Sequence, residues 1–163
     1  MQNIGRKIVC EKEKTIQAAP RDLFPLLCPV LEEKWIPQWE YDLVYSKSGV
    51  NETGCIFRET MSGAHLFEEP VTATWITILH DPKATRVEFI IHYRDRAVAR
   101  TSAQVTPLGD SHSRISWRKE LTSTSPNNEK FTDQNLHDKM LVSLDFLADT
   151  LTHYCETGRM IAT

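Results

Sequence analysis

Short alternating runs of apolar and polar residues fill the middle of the chain, from Asp42 to about Leu121. Turn residues separate them: DLVYSKS and GCIFRETM flank GVNETG, VTATWITIL and TRVEFIIHY flank HDPKA, and AVARTSAQVTPL and SRISWRKEL flank GDSH. Side chains of a strand point to alternate faces of a sheet, so period-two runs joined by short turns predict antiparallel hairpins. The pattern therefore predicts six strands in series, preceded by one more strand from Ile8 to Ile16.

One long helical pattern lies near the end of the sequence, from Glu129 to about Thr157. Its apolar residues recur every three or four positions, which predicts one continuous helix face. Leu141, Val142 and Phe146 widen this stripe and predict a broad packing partner, the sheet. Gly158 is well placed to cap the helix. The residues of the predicted face are Leu136, Met140, Leu144, Leu147, Leu151 and Tyr154.

The segment FPLLCPVLEEKWIPQWE, residues 24–40, interrupts a helical pattern with three prolines. Pro20, just before it, suits the first turn of a helix. Pro29 and Pro37 end helical turns, because the residue before a proline is pushed out of the α region. We therefore expect two short helices after the first strand.

Alternation also predicts which strand residues face the core. Trp75 shares its predicted face with Ala73, whereas Ile76 and Ile78 lie opposite. Arg86, Glu88 and His92 are expected on the solvent side. The next strand has small residues on its inner face, which leaves room either for a hollow or for large neighbouring rings. The core positions of the last three strands are Val87, Phe89, Ile91, Tyr93, Ala97, Ala99, Thr101, Ala103, Val105, Ile115, Trp117 and Leu121.

Two charged residues fall on core-facing positions. If Cys55 and Phe57 face inward then so does Glu59, and if Trp117 faces inward then so does Lys119. A charge inside a dry core costs several kcal/mol unless it is paired or hydrated. Glu59 and Lys119 therefore either lie near the rim of the sheet with their heads in water, or project into a solvated cavity and orient the polar end of a ligand.

Composition narrows the function classes. A chain of 163 residues with 40% hydrophobic and 25% charged residues is typical of one globular domain, spanning residues 1–163. Its net charge of -3 and scattered basic residues argue against a nucleic-acid partner. No apolar run suits a membrane span or a signal peptide, so the sequence predicts a cytoplasmic protein. Its widely separated cysteines, Cys10, Cys28, Cys55 and Cys155, are expected to be reduced and partly buried.

No motif for nucleotide binding, zinc hydrolysis or serine catalysis is present, and we expect no cofactor and no metal. His80 is expected in a turn. His137 and His153 follow Asp133 and Asp149 by four residues, a spacing that predicts exposed helix pairs. Glu32 and Glu33 are expected to form the solvated face of a short helix, or alternatively to act as an acid or base at a cavity mouth.

Element order and four segments resemble the START and birch-pollen-allergen-like (SRPBCC) superfamily, in particular small prokaryotic proteins related to polyketide cyclase/dehydrase and lipid transport proteins. The segments are LLCPVLEEKWIPQWEYDLVYSKSG, GCIF, TWITILHDP and SWRKELT. The resemblance implies an α+β helix-grip fold, in which a curved antiparallel sheet of about seven strands wraps around the long C-terminal helix. Two short helices after the first strand would plug one end, where Trp35 and Trp39 seal the core and border a cavity mouth.

The resemblance implies binding of a small, largely hydrophobic ligand, lipid-like or polyketide-like, in a cavity between the sheet and the C-terminal helix. A cavity of roughly 300 Å³ or more would suit this role. One alternative is a cyclase, dehydratase or isomerase in which Glu59 or Tyr93 moves protons; another is a protein-protein interaction module. Exposed Ile76 and Ile78 would suit a homodimer. The predicted ligand-binding residues are Trp35, Trp39, Phe57, Glu59, Trp75, Phe89, Tyr93, Trp117, Met140 and Leu144.

Overall fold

The computed structural model describes residues 5–60, 66–67, 70–124 and 133–162. In this part of the chain, seven antiparallel strands form one curved sheet in the order β1-β7-β6-β5-β4-β3-β2. The predicted hairpins are therefore confirmed, and the first strand closes the sheet beside the last. The strands are β1 Lys7–Ile16, β2 Tyr41–Tyr45, β3 Ile56–Glu59, β4 Ala73–Asp81, β5 Arg86–Tyr93, β6 Ala97–Pro107 and β7 Ser113–Ser123.

Short helices follow β1, as the prolines predict. Helix α1 spans Pro20–Leu23, a 3-10 turn spans Phe24–Leu26, and α2 spans Pro29–Glu32. Cys28 is extended, with φ -131° and ψ 131°, so the chain leaves the first helical stretch there and restarts at once. Pro29 thus begins α2, because a first-turn residue needs no backbone N–H donor.

The long helix, α3, spans Asp133–Thr157. Its predicted start at residues 129–132 lies outside the described residues. Gly158 caps it as predicted, with a left-handed φ of 69° and its N–H 2.7 Å from the Tyr154 carbonyl oxygen. No helix in the described ranges is long and apolar enough to cross a membrane.

Helix α3 buries a narrower stripe than predicted. Leu136, Met140 and Leu144 are buried on the sheet side. Val142 and Phe146, however, are 64% and 43% exposed, so the expected broad apolar face is wrong. The helix presents one side to the sheet, leaves Val142 open to solvent and exposes Phe146 in part.

Ion pairs join α3 to the region of β1. Arg6 Nη1 lies 3.1 Å from Asp133 Oδ1, and Lys12 Nζ lies 2.5 Å from Asp145 Oδ1. Asp149 pairs with Lys14 in the same way. The predicted pairs of Asp133 and Asp149 with histidines on their own helix are therefore wrong, because these carboxylates turn toward the neighbouring strand.

The predicted core face of β5, β6 and β7 is confirmed, with Thr101 only half-buried. Ile76 and Ile78 are exposed on the opposite face of β4, and a bulge between Thr77 and Leu79 shifts the register of that strand. A homodimer through this face stays a prediction.

Glu88 was expected on the solvent side of β5, and the structure buries it. It does point away from the core, yet it is only 6% exposed. Its carboxylate accepts hydrogen bonds from Arg86 Nη2 and Arg100 Nη2, each at 2.6 Å. The two guanidinium groups cover the carboxylate, since they lie on the same face of the sheet as Glu88.

Candidate functional site

A cavity of about 300 Å³ lies between α3, the chain after α2 and the inner face of the sheet. Strands β3, β4, β6 and β7 each contribute a side chain to its wall. The lining residues are Glu32, Ile36, Pro37, Gln38, Trp39, Glu59, Trp75, Thr101, Lys119, Ser143, Leu144, Phe146 and Leu147.

Aromatic packing positions Trp39 and Trp75, the two tryptophans of the cavity wall. Trp75 stacks on Phe57, with ring centroids 5.3 Å apart, and meets the edge of Phe89 at 5.4 Å. Trp39 contacts Phe57 edge-on at 6.5 Å. Offset stacked and edge-to-face arrangements are the favoured geometries for such pairs. Phe57 and Phe89 therefore position the wall from behind.

The two tryptophans after α2 fold this segment back on itself. Trp35 Nε1 donates to the Leu26 carbonyl oxygen at 2.9 Å, and Trp39 Nε1 donates to the Pro29 carbonyl oxygen at 2.7 Å. Between them, Gln38 adopts a left-handed φ of 57°, an uncommon conformation for a residue other than glycine. The segment is thus a tight bend that turns Trp39 toward the cavity.

Lys119 forms the polar part of the floor, and Tyr93 lies behind it, outside the lining. Lys119 Nζ donates to Tyr93 Oη at 3.0 Å. Burial raises the pKa of the Tyr93 hydroxyl, and the nearby Lys119 charge opposes this rise. Glu59, 5% exposed, lies in the wall on β3. Of the two alternatives for Glu59 and Lys119, the geometry matches the second, a placement along a cavity.

Of the two alternatives for Glu32, a solvated helix face or a place at the cavity, the structure matches the second. Glu32 ends α2 and is half-buried in the cavity wall, whereas its neighbour Glu33 is exposed. Burial, and then the charge of Glu59, raise the pKa of Glu32 to about 8. The carboxyl group therefore holds its proton at neutral pH and is able to donate a hydrogen bond or a proton.

Two polar atoms beside the cavity have no hydrogen-bond partner within the described part of the chain. They are Trp75 Nε1 and Thr101 Oγ1. Buried polar groups are normally paired with protein or with ordered water. A water molecule or a polar group of a ligand that reached these atoms would give them partners.

The structure brings part of the predicted set to the cavity wall: Trp39, Glu59, Trp75 and Leu144. Phe57, Phe89 and Tyr93 support the wall from behind, through the ring contacts and the hydrogen bond described above. Trp35, Trp117 and Met140 are buried in the core and do not line the cavity. Ligand contact by any of these residues stays a prediction.

Sequence reasoning missed several lining residues: Ile36, Pro37, Gln38, Ser143, Phe146 and Leu147. Thr101 and Lys119 occupied inward positions in the pattern, so alternation was a usable signal for them. No sequence signal existed for the bend at Gln38, because a left-handed backbone conformation in a proline-rich segment depends on tertiary contacts.

His80 and Cys28 each contact other parts of the fold. His80 lies in β4 and stacks on Phe24 with ring centroids 5.3 Å apart, so its predicted place in a turn is wrong. Cys28 is buried and its Sγ accepts the Asn51 backbone N–H at 3.3 Å. Among the residues that the structure describes, no three His, Cys, Asp or Glu side chains are grouped to hold a metal ion.

No protein-family model matches the chain, and neither does any curated protein sequence. Several solved structures do match it in fold. The ZhuI aromatase/cyclase from Streptomyces sp. R1128 superposes with a TM-score of 0.70 at 10% identity, over 93% of this chain and 94% of that one. A point mutant of norcoclaurine synthase from Thalictrum flavum gives 0.69 at 16% identity, over 96% and 99%.

A START superfamily protein from Mycobacterium smegmatis gives a TM-score of 0.64 at 13% identity, over 91% of this chain and 97% of that one. At such low identity the likeness concerns the fold. With its seven-stranded sheet, short helices and long C-terminal helix, the chain has the α+β helix-grip fold shared by START, birch-pollen-allergen-like and polyketide aromatase/cyclase proteins.

Proposed function

We propose that this protein binds a small, largely apolar molecule in the cavity between α3 and the sheet. The observation that carries the proposal is the cavity itself, about 300 Å³, at the lower end of the range typical of ligand pockets. Its walls combine apolar side chains with a few polar groups, the usual composition of such sites.

The apolar share of the wall comes from both sides. Leu144, Phe146 and Leu147 of α3 face Trp75 of the sheet and Trp39 of the bend. A ligand body between them would remove apolar surface from water, and each Å² of such surface stabilises the complex by roughly 25 cal/mol. Glu32, Glu59 and Lys119 would orient its polar end.

A neutral aromatic alcohol, 2-(1-naphthyl)ethanol, is a suitable probe. We expect saturable binding in isothermal titration calorimetry, with amide chemical-shift changes concentrated in residues 36–39 and 143–147. Leu147→Trp would fill the cavity and weaken binding at least tenfold. Val142→Trp is the matched control, because Val142 is 64% exposed on the same helix and does not line the cavity.

Binding that survives Leu147→Trp unchanged, with shifts elsewhere on the surface, would contradict the proposal. Thermal unfolding of both variants checks that they are folded. Loss of binding in Leu147→Trp together with full binding in Val142→Trp would support it.

A second candidate is a proton-transfer enzyme of the cyclase or isomerase type. The observation that favours it is Glu32, whose carboxyl group keeps its proton at neutral pH and shares a cavity with Glu59. Such an acid beside a carboxylate suits removal and return of a proton next to a carbonyl group. Two of the similar structures are named as an aromatase/cyclase and a synthase.

Deuterium exchange tests this candidate. An aromatic β-keto ester in D₂O would exchange its α-proton faster with the wild-type protein than with buffer, as followed by proton NMR. Glu32→Gln would reduce the protein-dependent rate at least tenfold, whereas Glu33→Gln would leave it unchanged. Equal rates with wild type, Glu32→Gln and buffer would exclude the activity for this class of substrate.

A further inference from the structure

We infer that the cavity takes an amphipathic amine, whose ammonium group lies between Glu32 and Glu59 and displaces one proton from Glu32 into solvent. The inference rests on the proposed ligand-binding function and names the chemical class of the ligand. No covalent bond forms or breaks except the O–H bond of Glu32, whose proton passes to water or buffer.

Charge placement is the first reason. Glu32 at the end of α2 and Glu59 on β3 line the same cavity from different elements. Lys119, the third charged residue among the described lining residues, belongs to β7 and donates to Tyr93 Oη at 3.0 Å. The charge of Glu59 also acts on Tyr93, so Lys119 belongs to the Glu59 side of the cavity, and a ligand ammonium group would meet less repulsion on the side of Glu32.

Repulsion between the carboxyl groups is the second reason. Burial and the Glu59 charge raise the pKa of Glu32 to about 8, so near neutral pH one proton neutralises this group. A cation between the two carboxyl groups favours their charged forms and lowers the pKa of Glu32. A ligand carboxylate would instead add a further negative charge. Beside these two carboxyl groups, an anion such as a fatty acid should therefore bind more weakly than a cation.

Other titratable and charged groups surround Glu32. Among the described residues packed around it, these are Glu59 of β3, Lys119 of β7, Tyr93 of β5, and Glu33 and Tyr41 near the bend. Burial raises the pKa of both tyrosines above its ordinary value of 10, which leaves their hydroxyl groups protonated and neutral through the pH range of the test.

The outer side of the bend adds to the preference for cations. Trp39 and Tyr41 stack with ring centroids 6.0 Å apart, and Glu33 and Glu40 share a depression with them. Asp42 lies in the same depression, paired with Arg58 at 3.2 Å. Aromatic faces and carboxylates both attract cations, so an amine approaching this end meets a favourable potential.

Three probes that share one apolar body separate charge from hydrophobicity: 2-(1-naphthyl)ethylamine, 2-(1-naphthyl)ethanol and 1-naphthylacetate. In calorimetry at pH 8.5 we expect the amine to bind at least tenfold more tightly than the alcohol, and the acetate to bind most weakly. From pH 7 to 8.5 the affinity for the amine should rise roughly eightfold, as the ionised fraction of Glu32 grows, while the alcohol changes less than twofold.

Proton release gives an independent measurement. Titrations at pH 7 in buffers of different ionisation enthalpy should show about one proton released per amine bound and none per alcohol bound. Glu32→Gln should abolish both the release and the pH dependence. Glu13→Gln, which removes the same charge from an exposed residue of β1 outside the cavity lining, should preserve both.

The outcomes are distinct. If none of the three probes binds, the ligand-binding function and this inference both fall. If the alcohol binds as tightly as the amine at both pH values, the function stands and the amine preference is overturned. Should Glu32→Gln fail to fold, proton release by the wild-type protein decides: absence of release overturns the inference.

Discussion

Lys119 Nζ donates a hydrogen bond to Tyr93 Oη at 3.0 Å, although their strands, β7 and β5, are separated by β6. In the strand register Tyr93 lies opposite Ala97 and Lys119 lies opposite Thr101, so the two side chains meet diagonally across β6, over Ala99. The small side chains of Ala97 and Ala99 leave room for this buried polar contact. Both partners are largely hidden from solvent, at 7% and 0% exposure, so each depends on the other for its hydrogen bond.

Tyr93→Phe is expected to lower the free energy of unfolding by about 1–3 kcal/mol, because it leaves the Lys119 ammonium group without its hydroxyl acceptor. Lys119→Met in the same background should recover much of the loss, since an apolar side chain needs no partner there. Urea unfolding of both single variants and the double variant measures this coupling. Additive losses would show that the hydrogen bond carries no coupling energy.

The raised pKa of Glu32 predicts a pH-dependent stability. The folded protein holds this proton up to about pH 8, while the unfolded chain loses it near 4.5. The contribution of Glu32 to stability is therefore complete below pH 4.5 and is lost as the pH rises toward 8. Glu32→Gln should gain stability over wild type between these values, on the order of 4 kcal/mol at pH 8. Urea unfolding at pH 4.5 and pH 8 measures the difference, and a constant difference would contradict it.

Glu88 should contribute most of the stability of its arginine cluster. Hydrogen bonds from Arg100 and Arg86 lower the pKa of this carboxyl group against the effect of burial. Its contribution is present above the unfolded value of about 4.5 and is lost as the pH falls through the lowered folded value. We expect Glu88→Ala to cost about 2–4 kcal/mol at pH 7 and less at pH 3. Glu11→Ala, which removes an exposed partner of Arg118, should cost at most about 1 kcal/mol.

We expect substitutions of the two tryptophans of the bend to differ in effect: a change at Trp35 should lower stability, and a change at Trp39 should weaken ligand binding. Trp35→Phe removes the donor to the Leu26 carbonyl oxygen within the core and should cost about 1–3 kcal/mol, with the affinity for the naphthyl probes unchanged. Trp39→Phe shortens a side chain of the cavity wall and should weaken probe binding roughly three- to tenfold. Thermal unfolding and calorimetry on both variants test this division, which equal effects on affinity would refute.

The alternation of apolar and polar residues predicted much of this fold, because a one-residue shift in the register of a strand would move all its core side chains to the solvent face. Val87, Phe89, Ile91 and Tyr93 show it in β5, where all four are buried. Glu88 shows its limit. The pattern placed it on the correct face, but its burial depends on Arg100 of the adjacent strand, and local sequence carries no such information.

The candidate site was harder to predict for the same reason. Glu59 lies in a strand, so alternation pointed it inward. Glu32 lies in a four-residue helix, too short for a periodic pattern, and its burial depends on elements far away in sequence. Phe146 shows the converse error: helical spacing grouped it with the core residues of α3, yet it is 43% exposed at the cavity wall.

The strand order places β1 and β2 at the two edges of the sheet, and these edge strands differ in character. At one edge, β1 carries Lys12 and Lys14, whose ammonium groups pair with α3, and such charges obstruct the addition of a further strand. At the other edge, β2 exposes Leu43, Val44 and Tyr45. Self-association by strand pairing, when the protein is concentrated or partly unfolded, should therefore start at β2, and a lysine at Val44 should suppress it.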